Sequence, residues 1–378
     1  MTAMQEYDIA VIGGGIAGAS VAWRLAGQRR VVLIERESQC GYHTTGRSAA
    51  LFMESYGPPG VRALTRASRT FFEQPPAGFA EVPLLGPRGV LHLAFEGQEA
   101  DLARARTELA PGCPQLQVLD AAAALALAPC LRRDRVIGAL LDPEAQDMDV
   151  DAIHQGFLRG FRQGGGMLRT GSGVARAERT GARWRLTLED GSTLSAATVV
   201  NAAGAWADTV AQVFGVAPVG IVPMRRSAFT FDAGAGHDST AWPALVAIDE
   251  SWYIKPGHGQ LLGSPANADP TTPHDVVPEE IDIATGIWRI EEATTLTIRR
   301  PTSAWAGLRS FVPDGELVIG FDDAVPGFFW LAGQGGYGIQ SAAGASALAD
   351  ALLRDAPLPE ALRQHGVDPA ASAPARLR

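Results

Sequence analysis

Lysine and cysteine are both scarce in this sequence. Its three cysteines, Cys40, Cys113 and Cys130, are scattered and form no C-x-x-C pair. An odd, dispersed set excludes a disulfide framework and a zinc site of the usual spacing, and it is typical of a reducing compartment. Lys255 is the single lysine, so arginine carries almost all of the positive charge.

Basic blocks and runs of membrane-spanning length are missing as well. The chain of 378 residues has a net charge of −9, which argues against nucleic acid as a partner. Residues 9–25 are fairly apolar but lack a basic leading region, so neither a signal peptide nor a membrane span fits them. We therefore expect a soluble, cytoplasmic protein without an integral membrane segment.

The most informative feature that is present is a βαβ pattern at residues 8–35. An apolar strand leads into Gly13, Gly15 and Gly18, a helix follows, and a second apolar strand ends at Glu35. With the spacing G-x-G-x-x-G, the first glycine permits a tight turn and the second lets the backbone approach a pyrophosphate. The third lets the helix pack closely on the strand, and the acid can bind a ribose. The pattern therefore predicts an adenine dinucleotide, either FAD or NAD.

The rest of the chain suggests two domains, because 378 residues with 46% apolar composition exceed one ordinary core. Strand-then-glycine signals occur near the beginning, middle and end, and strand-rich stretches such as 218–303 lie between them. We predict an α/β nucleotide domain and an inserted α+β substrate domain on a mostly antiparallel sheet. The nucleotide domain comprises residues 1–79, 145–217 and 304–378, and the substrate domain comprises 80–144 and 218–303. The Pro- and Ala-rich tail after Asp355 is expected to be poorly ordered.

Longer motifs are spread along the whole chain. They are GYHTTGRSAA at 41–50, VNAAGAW at 200–206, RRSAF at 225–229, SPANADP at 264–270, IEEATTLTIRRP at 290–301, AGLRSF at 306–311 and QGGYGIQ at 334–340. With these motifs the chain resembles the FAD-dependent D-amino acid oxidase and dehydrogenase superfamily, closest to its D-arginine dehydrogenases. The resemblance covers essentially the whole chain and implies non-covalent FAD in a Rossmann-like, glutathione-reductase-like domain. It also implies oxidation of an amino acid at its α-carbon.

The resemblance implies which residues hold the substrate. Arg226 and Arg309 would clamp its carboxylate, since the planar fork of arginine pairs well with that group. Tyr253 would add a hydroxyl to the same carboxylate, and Tyr56 would close over the substrate as a mobile lid. The alternatives are a surface or interdomain salt bridge for each arginine, a half-buried strand tyrosine at Tyr253 and a solvent-exposed loop aromatic at Tyr56. Arg225 is expected to be structural.

The contacts at the amine end and around the cofactor are implied in the same way. Gln340 and the carbonyl region of Gly336 would face the amine, and His43 would lie near the flavin without bonding to it covalently. The turn at 335–339 would offer N–H groups to the flavin ring. The predicted cofactor-binding residues are Gly13, Gly15, Ala17, Gly18, Glu35, Arg36, Thr44, Thr45, Gly46, Arg47, Ser48, Ala49, Val174, Ala203, Gly204, Trp206, Gly335, Gly336, Tyr337, Gly338, Ile339 and Gln340.

The sequence departs from this family where a cationic substrate side chain would lie. Members that prefer D-arginine carry an acid on the strand after a Pro-Arg pair, where this chain has Gly89 and Val90. Leu51 and Met53 also stand where polar residues are expected. Burying a cation among such side chains is costly, so we expect a pocket for neutral, mostly apolar D-amino acids. Glu54 could still swing in and rescue cation binding.

The predicted reaction is oxidative deamination of a D-amino acid. The Cα hydrogen leaves as hydride to the flavin, and the imino acid hydrolyses to a 2-oxo acid and ammonia. Oxygen or a quinone-type acceptor would then take the electrons. Three alternatives remain open: a secondary-amine oxidase of the sarcosine or glycine oxidase type, a non-catalytic flavoprotein assembly factor, and an NAD-dependent dehydrogenase.

Overall fold

The computed structural model describes residues 4–234, 236–257 and 259–378. Within them, the strands form an eight-stranded, a nine-stranded and a three-stranded sheet. The strands are, in chain order, β1 (Gln5–Ile12), β2 (Val31–Ile34), β3 (Leu51–Phe52), β4 (Leu85–Pro87), β5 (Val90–Phe95), β6 (Gln117–Asp120), β7 (Val136–Asp142), β8 (Gln146–Met148), β9 (Met167–Arg169), β10 (Val174–Thr180), β11 (Arg183–Leu188), β12 (Thr193–Asn201), β13 (Val222–Phe231), β14 (Ala244–Ala247), β15 (Tyr253–Gly257), β16 (Gln260–Ser264), β17 (Asp269–Pro270), β18 (Ser303–Phe311), β19 (Val318–Phe321) and β20 (Phe328–Ala332).

Helices cover the sheets and connect several of the strands. The α-helices are α1 (Ile16–Leu25), α2 (Pro59–Glu73), α3 (Glu99–Leu109), α4 (Ala121–Leu127), α5 (Val150–Gln163), α6 (Ala207–Val213), α7 (Glu280–Ala293), α8 (Ala342–Leu353) and α9 (Glu360–Gln364). Short 3-10 turns lie at Thr45–Arg47, Gly204–Trp206, Pro369–Ser372 and Pro374–Leu377.

The eight-stranded sheet brings the predicted dinucleotide segments to one edge. Its centre, β1, is parallel to β12 on one side and to β2 on the other, and Ile12 is paired with both Ile34 and Asn201. Farther out, β20 is parallel to β12, with Asn201 paired to Trp330. Four parallel strands therefore end together, and ligands of such sheets bind beyond these carboxyl ends. The segments that follow the four strands are 13–18, 35–37, 202–206 and 333–338.

The nine-stranded sheet is mostly antiparallel, as predicted, with one parallel pair between β14 and β5. Its side chains alternate between two faces because the strand period is two. One face, including Leu93, Phe229 and Leu261, is buried with Ile290 of α7 in a shared core. The opposite face is left for the site described below.

Helix α7 was missed by the sequence prediction, which described 218–303 only as strand-rich. The helix packs on β13 and β16 through Ile283, Ile287 and Ile290, which recur with helical spacing. Isoleucine is β-branched and favours strands, and this preference masked the periodicity. Glu280 and Asp282 in the first turn are a typical helix-start signal.

The prediction of a poorly ordered tail is wrong. Leu362 and Val367 are buried against the helices of the nucleotide-side core, and Arg376 donates to Asp314 with Nε–Oδ2 at 2.7 Å. Arg378 pairs with the buried carboxylate of Asp322. A few apolar anchors and ion pairs thus order a segment whose composition alone suggests mobility. Over the described ranges, we find no helix whose length and hydropathy would let it traverse a bilayer.

Gly18 is the point where α1 approaches β1 most closely, and its replacement tests this packing. A Cβ added at Gly18 would lie 1.9 Å from the carbonyl oxygen of Gly13, so helix and turn would have to separate. We expect Gly18→Ala to lower the free energy of unfolding by about 3 kcal/mol, the upper end of the usual overpacking cost, in urea titrations of the apoprotein.

Gly112→Ala is the matched control for this substitution. A Cβ at Gly112 meets only the end of the Arg66 side chain, at 3.6 Å, and this variant should unfold within about 1 kcal/mol of wild type. Equal stability of the two variants would contradict the close packing of α1 on β1.

Candidate active site

One cavity of about 320 Å³ is lined by residues of both large sheets. The segments after β1, β2, β12 and β20 contribute to its wall, together with residues 41–49 and strands β13, β15 and β18. Of the predicted cofactor-binding residues, most line this cavity, whereas Gly18, Gly46, Tyr337 and Gln340 do not. The predicted domain boundaries stay a prediction, but the cavity lies where residues of both predicted domains meet.

The glycine turn after β1 has the shape that a pyrophosphate requires. Gly13 has a φ of +103°, and a Cβ there would lie 2.5 Å from the Ala202 carbonyl oxygen, so that only glycine fits. Gly15 borders the cavity, and a Cβ there would meet only Thr45 Oγ1, at 3.2 Å. The same hydroxyl accepts a hydrogen bond from the Ile16 N–H, at 3.0 Å. The turn therefore leaves a side-chain-sized space at the beginning of α1, where an anion is favoured.

The acid after β2 holds the turn as well as facing the cavity. Glu35 accepts hydrogen bonds from the Gly14 N–H at 2.7 Å and from the Glu37 N–H at 2.8 Å. His154, a residue of α5, also contacts this turn, with its Nε2 2.9 Å from the Gly14 carbonyl oxygen. His154 was missed from the sequence, because a histidine inside an amphipathic helix carries no local sign of such a contact.

Aromatic and charged side chains follow along the cavity wall. The Arg36 guanidinium lies 4.8 Å from the centre of the Trp206 ring, and the His43 ring packs on the same indole at 4.6 Å. His43 Nε2 is 2.9 Å from Glu37 Oε1, and this hydrogen bond lowers the pKa of Glu37. Both His43 and Arg36 are thus engaged with protein groups.

The loop at 41–50 ties the cofactor side of the cavity to the nine-stranded sheet. Thr44 Oγ1 donates to the Leu308 carbonyl at 2.7 Å. Arg47 donates to the carbonyls of Val276 and Ala306, at 2.9 and 3.0 Å. Arg47 is predicted to contact the cofactor, but most of its guanidinium N–H groups are hydrogen-bonded to protein groups that hold this loop against the sheet.

Arg226 and Arg309 lie side by side on the sheet face that borders the cavity. Arg226 is paired with Gly307 in β18, and Met224 is paired with Arg309. The two arginines are therefore diagonal neighbours on one face, close enough for long side chains to meet. Tyr253 shares that face, because it is paired with Ser264 and β16 continues the alternation into β13.

This arginine pair lacks a protein counter-ion. Across the described ranges, neither guanidinium has a carboxylate oxygen within 4.0 Å, and the buried Nε of Arg226 has no hydrogen-bond partner. Burial, followed by the charge of Arg309, lowers the pKa of Arg226. Arg225 points the other way and pairs with Asp269 and Asp282, the structural role expected for it. Two uncompensated cations at a cavity wall form an anion site.

Tyr56 and Gly336 complete this part of the cavity. Arg309 Nη1 donates to the Tyr56 hydroxyl at 3.1 Å, and the Tyr56 ring packs against Tyr337 at 4.9 Å. A Cβ at Gly336 would lie 2.9 Å from Arg309 Nη1 and 3.2 Å from the Tyr56 hydroxyl. A side chain at position 336 would therefore displace the arginine and the tyrosine.

The structure places Gln340 apart from these groups. Its amide nitrogen donates to the Met53 carbonyl at 3.2 Å and to Thr65 Oγ1 at 3.0 Å, and its oxygen accepts from the Met53 N–H at 3.4 Å. Gln340 is buried and fully engaged, and in this arrangement it supports the segment around Met53. The predicted contact of Gln340 with a substrate amine stays a prediction, and it would require one of these hydrogen bonds to be exchanged.

Of the predicted substrate-pocket residues, Leu51, Met53 and Val90 lie together but do not line the cavity, whereas Gly336 lines it. Met53 and Val90 form a buried cluster with Ala145 and Ala244, against which Leu51, Tyr56 and Val246 pack. Since Tyr56 also contacts Arg309, this cluster adjoins the anion site. Glu54 is held by Arg69, with Oε1 2.7 Å from Nε.

Comparisons with known proteins agree with these features. The sequence matches the family model described as FAD dependent oxidoreductase over residues 8–351. A D-amino acid dehydrogenase from Cereibacter sphaeroides is 28% identical over 284 residues, which are 70% of this chain and 61% of that protein. This chain therefore spans about six-tenths of that relative's length.

Solved structures share the fold over almost the whole chain. Glycine oxidase from Geobacillus kaustophilus superposes with a TM-score of 0.82 at 22% identity, covering 98% of each chain. L-proline dehydrogenase from P. horikoshii gives a TM-score of 0.82 at 20% identity, covering 99% of this chain and 98% of that one. At these identities the likeness establishes the fold alone.

FAD fits the residues around the cavity. The open space at Gly15 suits the pyrophosphate, and Glu35 faces the cavity where a ribose would follow. The same cavity is lined by Arg226 and Arg309, and the flavin ring would have to lie near them to reach a bound anion. The wall also includes Thr44, Thr45, Arg47, Ser48, Ala49, Gly335, Gly336, Gly338 and Ile339.

Gly15→Ala tests the pyrophosphate position. The new methyl group would occupy the space beside α1, so we expect flavin affinity to fall at least tenfold, a loss of about 1.4 kcal/mol, measured by titrating apoprotein with FAD. The thermal unfolding temperature of the apoprotein should stay that of wild type, because only the movable Thr45 hydroxyl is crowded. Unchanged flavin affinity in a folded variant would show that the dinucleotide lies elsewhere.

Proposed function

This chain belongs to the family of FAD-dependent oxidoreductases, and from that premise we propose that it oxidises free D-amino acids at the α-carbon. The proposal adds three points to the family: an amino acid as the substrate, the D-configuration, and a neutral side chain. A D-amino acid dehydrogenase among its relatives supports the first two. The FAD would be held without a covalent bond, since His43 is engaged with Glu37 and Trp206.

The observation that carries the proposal is the uncompensated pair Arg226 and Arg309. A substrate carboxylate would supply the missing counter-ion and satisfy the free Nε of Arg226. Guanidinium groups bind carboxylates through paired hydrogen bonds that are stronger than neutral ones. Tyr253, on the same sheet face, would donate a further hydrogen bond to that carboxylate.

These residues would position the substrate and adjust its amine for oxidation. Two guanidinium groups leave a net positive charge after one carboxylate binds, and this charge disfavours the ammonium form of the nearby amine. The neutral amine can then form the C=N bond as the Cα hydrogen leaves with its electron pair. Bound FAD supplies the acceptor for that hydride. Gly336 leaves room for the side chains of Arg309 and Tyr56, and Tyr56 would cover the bound substrate from water.

The product and the side chain follow from the same site. Loss of hydride and of one amine proton gives an imino acid, which adds water and releases ammonia and a 2-oxo acid. The reduced cofactor is reoxidised by oxygen or a quinone-type acceptor. The side chain would lie against Leu51, Met53 and Val90. Glu54 is occupied by Arg69, which supports a preference for uncharged side chains.

A substrate panel tests the class of substrate. We expect D-leucine, D-methionine and D-phenylalanine to bleach the flavin absorbance under anaerobic conditions, with kcat/KM at least tenfold above that of D-arginine. A cation in this apolar pocket loses hydration without gaining a charged partner. L-leucine, glycine, sarcosine and L-proline are the comparison compounds. Faster reduction by sarcosine, glycine or L-proline would favour a secondary-amine or glycine oxidase instead, and faster reduction by L-leucine would overturn the D-configuration.

Arg226→Lys tests the carboxylate clamp. Lysine keeps the charge but loses the planar fork, so we expect kcat/KM for D-leucine to fall about ten- to a hundredfold, consistent with ~1.5–3 kcal/mol for hydrogen bonds to charged groups. Arg225→Lys is the matched control, one residue away on the opposite face, and should keep the wild-type KM. Equal losses in both variants would indicate damage to β13 rather than to a binding contact.

A further inference from the structure

Beside the apolar pocket lies a buried polar group that neither the fold nor the proposed reaction uses. His92 follows Val90 by two residues on β5, so both side chains point to the sheet face that carries Tyr253 and Arg226. His92 Nε2 is sealed from solvent and has no hydrogen-bond partner among the described residues. Unpaired buried polar groups cost about 1–3 kcal/mol, so each one needs a physical reason.

The sheet register places His92 beside the apolar cluster of Met53 and Val90, in one row with Tyr253 of the cavity wall. Tyr253 is paired with Val246 in β14, and Val246 is paired with His92 in β5. The three side chains thus form one row across three strands, and the backbones of Tyr253 and His92 are about 10 Å apart, two strand spacings. Val246, the middle member, packs on the apolar pocket cluster.

The adjacent row of side chains contains a second polar group, Asp142, which has hydrogen-bond acceptor positions that are not used. Val90 is paired with Asp142 in β7, whose carboxylate is buried. Asp142 accepts from Ser55 Oγ at 2.9 Å and from the Glu144 N–H at 3.2 Å. A carboxylate has about four acceptor positions, so these two bonds leave some of them open next to His92.

The chemistry of His92 selects among side chains. Burial lowers the pKa of His92, only partly opposed by Asp142, so the ring is neutral and offers one donor and one acceptor. The residue as a whole is only partly buried, although its Nε2 is sealed from solvent. A neutral amide or hydroxyl matches such a ring, whereas a purely apolar group leaves it unpaired.

We propose that His92 is a specificity-determining residue that hydrogen-bonds the end of the substrate side chain. On this basis, which rests on the proposed function, the preferred substrates are neutral D-amino acids whose side chain ends in an amide or a hydroxyl. The carboxylate is held near Tyr253, the carbon chain passes Val246, and the polar end meets His92. Asp142 receives any remaining donor.

Two pairs of substrates of similar shape test this inference. D-glutamine is compared with D-methionine, and D-tyrosine with D-phenylalanine, by kcat/KM in wild type and in His92→Leu. We expect wild type to favour the polar member in at least one pair. In that pair the preference should fall about fivefold to tenfold in His92→Leu, while kcat/KM for the apolar member stays within twofold of wild type. A structural defect would lower both members equally and leave the ratio unchanged.

His92→Gln provides the conservative variant, because its amide keeps a donor and an acceptor, and it should retain part of the preference. The inference is overturned if wild type shows no preference in either pair, a result that needs no variant at all. It is equally overturned if His92→Leu keeps the wild-type ratios. If D-leucine also fails to reduce the flavin, the proposed function itself has failed, whereas active D-leucine with unchanged ratios removes only the role of His92.

Discussion

The site depends on two guanidinium groups, those of Arg226 and Arg309, that the fold brings together without a counter-ion. Holding like charges side by side is unfavourable unless an anion binds between or beside them. Within the protein, Tyr56 accepts a hydrogen bond from Arg309, and this contact helps to hold the arrangement without a carboxylate. The neighbouring Arg225, on the same strand, differs because it is paired with carboxylates, as is typical of an arginine with a structural role.

The residues on either side of Arg309 in β18 are hydrogen-bonded to the two segments that are predicted to surround the flavin. The residue before it, Leu308, accepts a hydrogen bond from Thr44. The residue after it, Ser310, accepts one from the Gly335 N–H at 2.8 Å. Both partners belong to segments expected around the flavin. The backbone that carries the clamp is thus anchored on either side by the groups that would hold the cofactor.

Short sequence motifs were enough to predict features whose geometry is set by residues close together in the chain. The turn from Gly13 to Gly18 needs only a fixed spacing. The two arginines named by the resemblance, Arg226 and Arg309, line one cavity, and their role as a carboxylate clamp stays a prediction. Contacts made by packing had no such signal. His154 reaches the Gly14 carbonyl only because α5 lies beneath the turn. Gln340 sits within a family motif, yet its neighbours Met53 and Thr65 occupy its amide.

Substrate specificity is hard to predict from the sequence for the same reason, because it depends on packing contacts rather than on a local pattern. Val90 could be recognised as apolar where an acid was expected, because that comparison concerns one position. Whether the pocket is apolar throughout depends on cross-strand partners, and these come from distant segments such as 244–246 and 140–142. The register sets an unpaired histidine and a buried carboxylate beside Val90 and Val246. On the proposed function, the apolar cluster around Val90 has one polar side, and that side would decide which neutral side chains gain from burial.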